Sequence, residues 1–239
     1  MDYIITLCGI CFIIPVKTRY TYKRISSFIE KNEDINLAEY ISVDEISEYD
    51  EELDSLRPGV RELTSLIIPI SDHLLKYNCC VIHGLSFSWR NKGFLFCGPS
   101  GVGKTTQYQL WETEYGDEIA ILNGDKPILE QRREDQFILH PSPWTGKEDL
   151  YSYDSKQLYG IIYLEQGTEN NIVQINDSSI VLSLLQEIFY SARTVNLVDN
   201  VASIIHNLLT SVPIWKLTNK GDTNSVILTH EVLEEFYRY

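Results

Sequence analysis

Residues 98–106 read GPSGVGKTT and stand between two segments of opposite habit. FLFC (94–97) before them is a short apolar, strand-forming run. KTTQYQLWETEY (104–115) after them reads as a helix that Gly116 stops. Positions 98–105 satisfy G-x-x-x-x-G-K-[ST] at every fixed place. Gly98, Gly101 and Gly103 let the backbone turn tightly, and Pro99, Ser100 and Val102 fill the places between them. Consecutive N–H groups can then converge on phosphate oxygens, and the positive end of the following helix adds to them. Lys104 is placed to reach the outer phosphates, Thr105 to offer its hydroxyl to Mg²⁺, and Thr106 to extend the contact into the helix. The alternative is a glycine-rich structural turn, but strand, loop and helix in this order are what a phosphate cradle requires.

The rest of the chain bounds what such a loop can serve. Its 239 residues suit one large domain, or one domain with a small appendage. With 44% hydrophobic and 23% charged residues it can bury a core and is not of disordered composition. The net charge of −14 sets most of the surface against a polyanion, which argues against nucleic acid as a partner. A nucleotide needs cations only locally. The five cysteines are odd in number and do not space as a disulfide framework, so reduced thiols and a cytoplasmic setting are expected. Cys8 and Cys11 form a lone CxxC, readable as a redox pair, half a zinc site, or two strand cysteines. The chain opens with acidic Met1-Asp2, and its first apolar run ends at Pro15. Neither a signal peptide nor a membrane span is expected from that start.

Residues 1–20 are strand-like. Residues 27–60 turn strongly acidic around VDEISEYDEELD (43–54), either a solvated surface or a face for a basic partner. RELTSLIIPISDHLLKY (61–77) has helical spacing with a kink expected near Pro69. This sets an expected N-terminal subdomain over residues 1–77, packed on a nucleotide-binding domain over 78–239. In the second part CCVIHGLSFSW (79–89) reads as a strand, RNKG (90–93) as a turn, and YGIIYLEQG (159–167) as a buried strand. SSIVLSLLQEIFYSA (178–192), residues 195–212 and residues 224–239 read as helices. Strands alternating with helices predict a mixed α/β class.

A phosphate loop needs a second metal contact, usually an acidic residue at the end of a later buried strand. EIAIL (118–122) runs into Asn123-Gly124-Asp125-Lys126, which makes Asp125 the candidate. The same residues also read as a turn between hairpin strands. No guanine-selecting NKxD signature follows the loop, so the nucleotide is taken as ATP.

VIHGLSFSWRNKGFLFCGPSGVGKTT (81–106) resembles the core of the HPr kinase/phosphorylase family, whose fold is shared with phosphoenolpyruvate carboxykinases. The shared features are an HG strand, a hairpin and a loop of the form G-x-S-G-x-G-K-[ST]. ILNGDKPIL (121–129) resembles the family's acidic strand end, and the likeness spans roughly residues 79–220. It implies a kinase-like P-loop domain with a small β-rich N-terminal subdomain and a helical C-terminal part. It implies ATP and Mg²⁺, and a hydroxyl acceptor on a peptide or small protein, as in modified-peptide pathways. His83 would lie near the transferred phosphoryl group, or else merely cap its strand. Asp125 would ligate the metal with Thr105, or deprotonate the acceptor.

One departure stands out. The family carries two adjacent Asp at the strand end, and this chain has Gly124-Asp125, which bears on the reverse phosphorylase reaction. HPSPWTGKED (140–149) is similar to a Pro-Trp-x-Gly-Lys segment of related proteins. There Lys147 would reach a phosphate or an acidic acceptor and Trp144 would stack on a base or wall the pocket. The other reading is a proline-fixed turn with a core Trp and a solvated Lys. Arg193 and the pair Arg132–Arg133 are weaker candidates. Rival functions are an ATP-binding or peptide-partner module without transfer activity, and simple ATP hydrolysis. The oligomeric state stays open.

Overall fold

The chain begins with two six-residue strands whose alternation buries one face. In the computed structural model, which describes residues 1–30, 38–50, 53–175, 178–192 and 195–238, β1 (Asp2–Leu7) and β2 (Ile10–Pro15) form an antiparallel hairpin. Cys8 and Gly9 make its turn with φ of 42° and 82°, the left-handed pair that such a tight connection needs. Ile5, Leu7, Phe12 and Ile14 point to one side and are buried. Cys8 therefore lies in a turn rather than on a strand. Its thiol is pushed up, chiefly by a hydrogen bond with Cys79, while Cys11 lies 3.5 Å from the Thr6 hydroxyl. The two CxxC thiols thus have separate partners. No group of three or more metal-ligating side chains occurs among the described residues.

Helix α1 (Arg19–Ile25) follows, capped by Thr18, then β3 (Glu39–Tyr40) and α2 (Val43–Asp50). Next come α3 (Pro58–Ser65) and α4 (Ile67–Leu74). The expected kink lies at Leu66, not at Pro69. Pro69 falls in the first turn of α4, where a missing N–H costs nothing. The side chains of α3 and α4 share a core with β1 and β2, and that core continues onto Cys79, Val81, Ile128 and Trp144.

The strands of the second part are β4 (Cys79–Ile82), β5 (Leu85–Trp89) and β6 (Lys92–Cys97), so His83-Gly84 splits the single strand expected over 79–89. Arg90 and Asn91 link β5 to β6 with φ of 47° and 65°. Then come α5 (Lys104–Tyr115), β7 (Ile119–Asn123), β8 (Ile128–Arg133), β9 (Gln136–His140), β10 (Lys156–Gln166) and β11 (Asn171–Ile175). The last elements are α6 (Val181–Glu187), β12 (Ile188–Phe189), α7 (Val195–Ser211), β13 (Ile214–Asn219) and α8 (Thr223–Phe236).

β10 joins two halves of one large mixed sheet. Its first residues pair with β9, and the remainder runs parallel to both β6 and β13. Buried on both faces, β10 reads as an unbroken apolar run, as a central parallel strand should. α5 and α8 cover one face of the β5, β6, β10 and β13 region through Phe87, Trp111, Trp215 and Val226. On the other face α6 and α7 pack against β4, β8, β9 and β10. The architecture is mixed α/β.

Two expectations yield here to tertiary pairing. The helix expected over 178–192 stops at Glu187, because Ile188 and Phe189 pair with the edge of β4. The Phe189 carbonyl also accepts from Ser71 Oγ at 2.6 Å. Asn123-Gly124-Asp125 is not a hairpin turn either: β7 pairs with β5, whereas β8 pairs with β4 and β9. Arg193 and part of the acidic stretch around 43–54 lie outside the described residues. Among the described residues no helix is long and apolar enough to cross a membrane.

β3 is tied to α4 by charge. The Glu39 carboxylate accepts from Tyr77 Oη at 2.7 Å and from Lys76 Nζ at 3.3 Å, and lies 2.6 Å from His73 Nδ1. The Tyr77 hydrogen bond, helped by His73 and Lys76, outweighs burial and lowers its pKa from 4.5 to about 2. This contribution to stability is present above pH 4.5 and is lost as the pH falls toward 2. Urea midpoints measured from pH 7 to pH 2 are expected to place Glu39→Gln below the wild type at neutral pH. The gap should close as the pH falls through that window.

Candidate functional site

The loop 98–103 leaves β6 and enters α5 with Gly98, Gly101 and Gly103 at φ of 132°, 79° and 107°. A Cβ on Gly98 would stand 2.8 Å from the Leu164 carbonyl of β10, so that position needs glycine on two counts. Gly103 is the N-cap of α5 and offers no side-chain cap, which leaves the first-turn N–H groups pointing out of the helix. Lys104 is 9% exposed. Its ammonium donates to the carbonyls of Gly98 at 2.6 Å and Pro99 at 3.3 Å. Burial lowers its pKa, and the nearby charge of Glu187 and Asp125 opposes that shift.

Opposite the loop, the end of β7 is fixed by Asn123. Its side chain is fully buried; Oδ1 accepts the N–H groups of Asp125 (3.1 Å) and Lys126 (2.9 Å). Its amide Nδ2 donates to the Ser142 carbonyl at 3.0 Å and hydroxyl at 3.2 Å. The turn so held presents the Asp125 carboxylate to the cleft, where the Lys126 ammonium pairs with it. Gly124 is walled in. A Cβ there would lie 3.0 Å from the Thr145 carbonyl, 3.1 Å from the Leu150 carbonyl and 3.1 Å from Leu150 Cβ.

His83 follows β4 at the split between strands. Its N–H donates to the Glu187 carbonyl, and the next N–H, of Gly84, donates to the Asp125 carbonyl at 2.8 Å. The ring spans two carboxylates, with Nδ1 2.8 Å from Glu187 Oε2 and Nε2 3.6 Å from Asp125 Oδ1. Glu187 is 6% exposed and sits at the C-terminal end of α6. A carboxylate at Glu187 accepts only from a protonated Nδ1, which leaves Nε2 as the nitrogen that faces Asp125.

His83, Lys104, Thr105, Thr106 and Asp125 line one cleft of about 530 Å³. Ser100, Gly101 and Gly103 of the loop border it, as does the Gly146–Glu148 turn. Lys147 is exposed on that turn. Trp144 is not available to a base: it is 4% exposed in the N-terminal core, and its indole Nε1 donates to the Leu63 carbonyl at 2.8 Å. Pro99 and Val102 of the loop border a neighbouring pocket with Tyr163–Gln166. Arg132 is held by Glu130 at 2.9 Å and 3.2 Å, and neither it nor Arg133 lines the cleft.

Glu187, Lys126, Asn123 and Arg24 of α1 are the site's neighbours that motif reading passed over. Glu187 is 104 positions from His83, and no spacing links them. Asn123 did carry a signal, since an Asn before a Gly-Asp pair is suited to bond its own backbone two residues on.

No family model matches the chain, and no curated protein matches it. Among solved structures it is similar to the Hpr(Ser) kinase/phosphatase from Coxiella burnetii, at 12% identity over 66% of this chain and 94% of that chain, with a TM-score of 0.36.

The crowding at Gly124 makes a direct prediction. Gly124→Asp is expected to lose about 1–3 kcal/mol of stability through overpacking against Thr145 and Leu150 rather than to add a working second carboxylate. Urea denaturation of this variant against the wild type reads the loss.

Proposed function

We propose that this chain is an ATP- and Mg²⁺-dependent phosphotransferase of the HPr kinase-like kind. It would move the γ-phosphoryl group to a hydroxyl of a peptide or small protein. The observation that carries the reading is the meeting in one cleft of the glycine loop and Lys104 with Asp125 and His83, the latter backed by Glu187. The loop amides and the uncapped start of α5 would hold the phosphates, with Lys104 leaving the Gly98 carbonyl for them. The Thr105 hydroxyl and the Asp125 carboxylate are oxygen donors in the same cleft and fit Mg²⁺, which takes few protein ligands and the rest from phosphates and water. That ion, when bound, supplies charge neutralisation on the phosphates.

On the acceptor side, Asp125 would take the hydroxyl proton where it is not given over to the metal, and the His83 ring beside it would stabilise the transferring group. Glu187 fixes the ring tautomer from the far nitrogen. Lys147 lies free of hydrogen bonds among the described residues and provides a further cation for the transferring group. The single carboxylate at the strand end suffices for the forward direction, because phosphoryl transfer depends mainly on positioning and charge neutralisation. A peptide acceptor from a modification pathway agrees with the motif resemblance.

The test is incubation with γ-labelled ATP and candidate peptides. Label is expected on a peptide with the wild type, and Lys104→Ala and Asp125→Asn are each expected to lower the rate at least about a hundredfold. Labelled phosphate released equally with and without peptide identifies an ATPase instead. Tight ATP binding with no turnover identifies a binding module.

A further inference from the structure

Arg24 belongs to α1, far in sequence from the phosphate loop, yet its guanidinium is spent on the turn that borders the cleft. Nη1 donates to Thr145 Oγ1 and to Asp149 Oδ1. Nη2 donates to the Gly146 carbonyl at 3.0 Å and to Tyr20 Oη at 3.2 Å. The side chain is 11% exposed, and the Tyr20 ring stacks beneath it with 5.3 Å to the centroid. Thr145 Oγ1 also donates to Asp149 Oδ1 at 2.7 Å, so both ends of the turn are locked to each other and to the arginine.

What this clamp holds is specific. Gly146, at φ of 75°, packs against the Asp125 side chain so closely that a Cβ would be 3.2 Å from Asp125 Cβ. Lys147 comes next and lines the cleft. A lysine on an unrestrained glycine turn would sample many positions. One whose turn is held through the Thr145 and Asp149 side chains and the Gly146 carbonyl leaves from a fixed point at the cleft's mouth. The planar fork serves four partners at once, Thr145, Asp149, Tyr20 and the Gly146 carbonyl, one more than the three N–H donors of a lysine ammonium at position 24 could serve.

We propose that Arg24 is a positioning residue that sets Lys147 against the terminal phosphate of a bound nucleoside triphosphate, so that the N-terminal segment completes the site. This rests on reading the cleft as the nucleotide site.

The experiment measures binding of fluorescent N-methylanthraniloyl ATP and ADP, with Mg²⁺, to the full chain. Variants are Arg24→Ala, Arg24→Lys, Lys147→Ala, the Arg24→Ala/Lys147→Ala double variant and Lys104→Ala. The wild type is expected to prefer ATP over ADP by about tenfold, the worth of one charge-assisted contact. Arg24→Ala and Lys147→Ala should each erase that preference and leave ADP affinity within about twofold, and the double variant should lose no more than either single one. Arg24→Lys should not restore it. Equal weakening of both nucleotides by Arg24→Ala, no weakening, or additive losses in the double variant would overturn the proposal.

Lys104→Ala should weaken both nucleotides. If it does not, the nucleotide-site reading falls and this inference with it; if it does while Arg24→Ala keeps the ATP preference, the inference alone falls. Hydrogen exchange over residues 144–150 should quicken in Arg24→Ala while α5 stays protected. Should that variant not fold, Asp149→Asn, which weakens the same clamp without removing the arginine, is read by the same criteria.

Discussion

The side-chain amide of Asn123 is the constraint on which the site depends. It is fully buried, both its oxygen and its nitrogen are used, and it joins three pieces of chain: the end of β7, the Asp125-Lys126 turn and the segment at Ser142. Stripped of Asn123, the Asp125 N–H and the Ser142 carbonyl would lose their partners, at about 1–3 kcal/mol each where water does not reach them, while the Lys126 N–H would keep the Trp144 carbonyl at 3.1 Å. Ser142 Oγ in turn donates to the Lys126 carbonyl and accepts from the Trp144 N–H. The direction of the Asp125 carboxylate, the course of the 141–149 loop and the anchoring of Trp144 are thus settled together.

From that junction the cleft receives parts from distant elements. β6 delivers the glycine loop beside β10, where the Leu164 carbonyl presses on Gly98. The split after β4 brings His83 to Asp125, and the early stop of α6 brings Glu187 to His83. The stop is what allows the pair: were residues 188 and 189 helical, β4 would lose its edge partner and the His83 N–H its acceptor at Glu187. Charge is arranged on the same scale. A chain of net charge −14 still brings Lys104, Lys126 and Lys147 to this one region, beside the Asp125 and Glu148 carboxylates that line the same cleft.

Much of this was legible in the residues. The run of strand, loop and helix across 94–115 reads directly, because glycine, lysine and threonine at fixed spacing leave few other conformations, and α5 spans the very residues that the pattern marks. β10 reads directly too, since a strand buried on both faces cannot hide its apolar run. The illegible parts depend on pairing across long stretches of chain. Nothing in SSIVLSLLQEIFYSA says that its last residues are claimed by β4, and nothing near Arg24 says that its partners lie 121 to 125 positions away. Trp144 was ambiguous for a related reason: an indole serves a core or a ligand equally well, and only the Leu63 carbonyl decides between them. Gly124 read as the loss of a carboxylate; a Cβ there would meet the Thr145 and Leu150 carbonyls at 3.0 and 3.1 Å, so a side chain fits only where they give way.

The most direct measurement is a crystal structure of the chain with Mg²⁺ and a non-hydrolysable ATP analogue. The phosphates are expected to be cradled by the amides of residues 100–105, with the Lys104 ammonium turned from the Gly98 carbonyl to the phosphates and the terminal phosphate facing Asp125 and His83. A nucleotide bound elsewhere, or one in the loop with its terminal phosphate turned away from Asp125, would contradict that expectation.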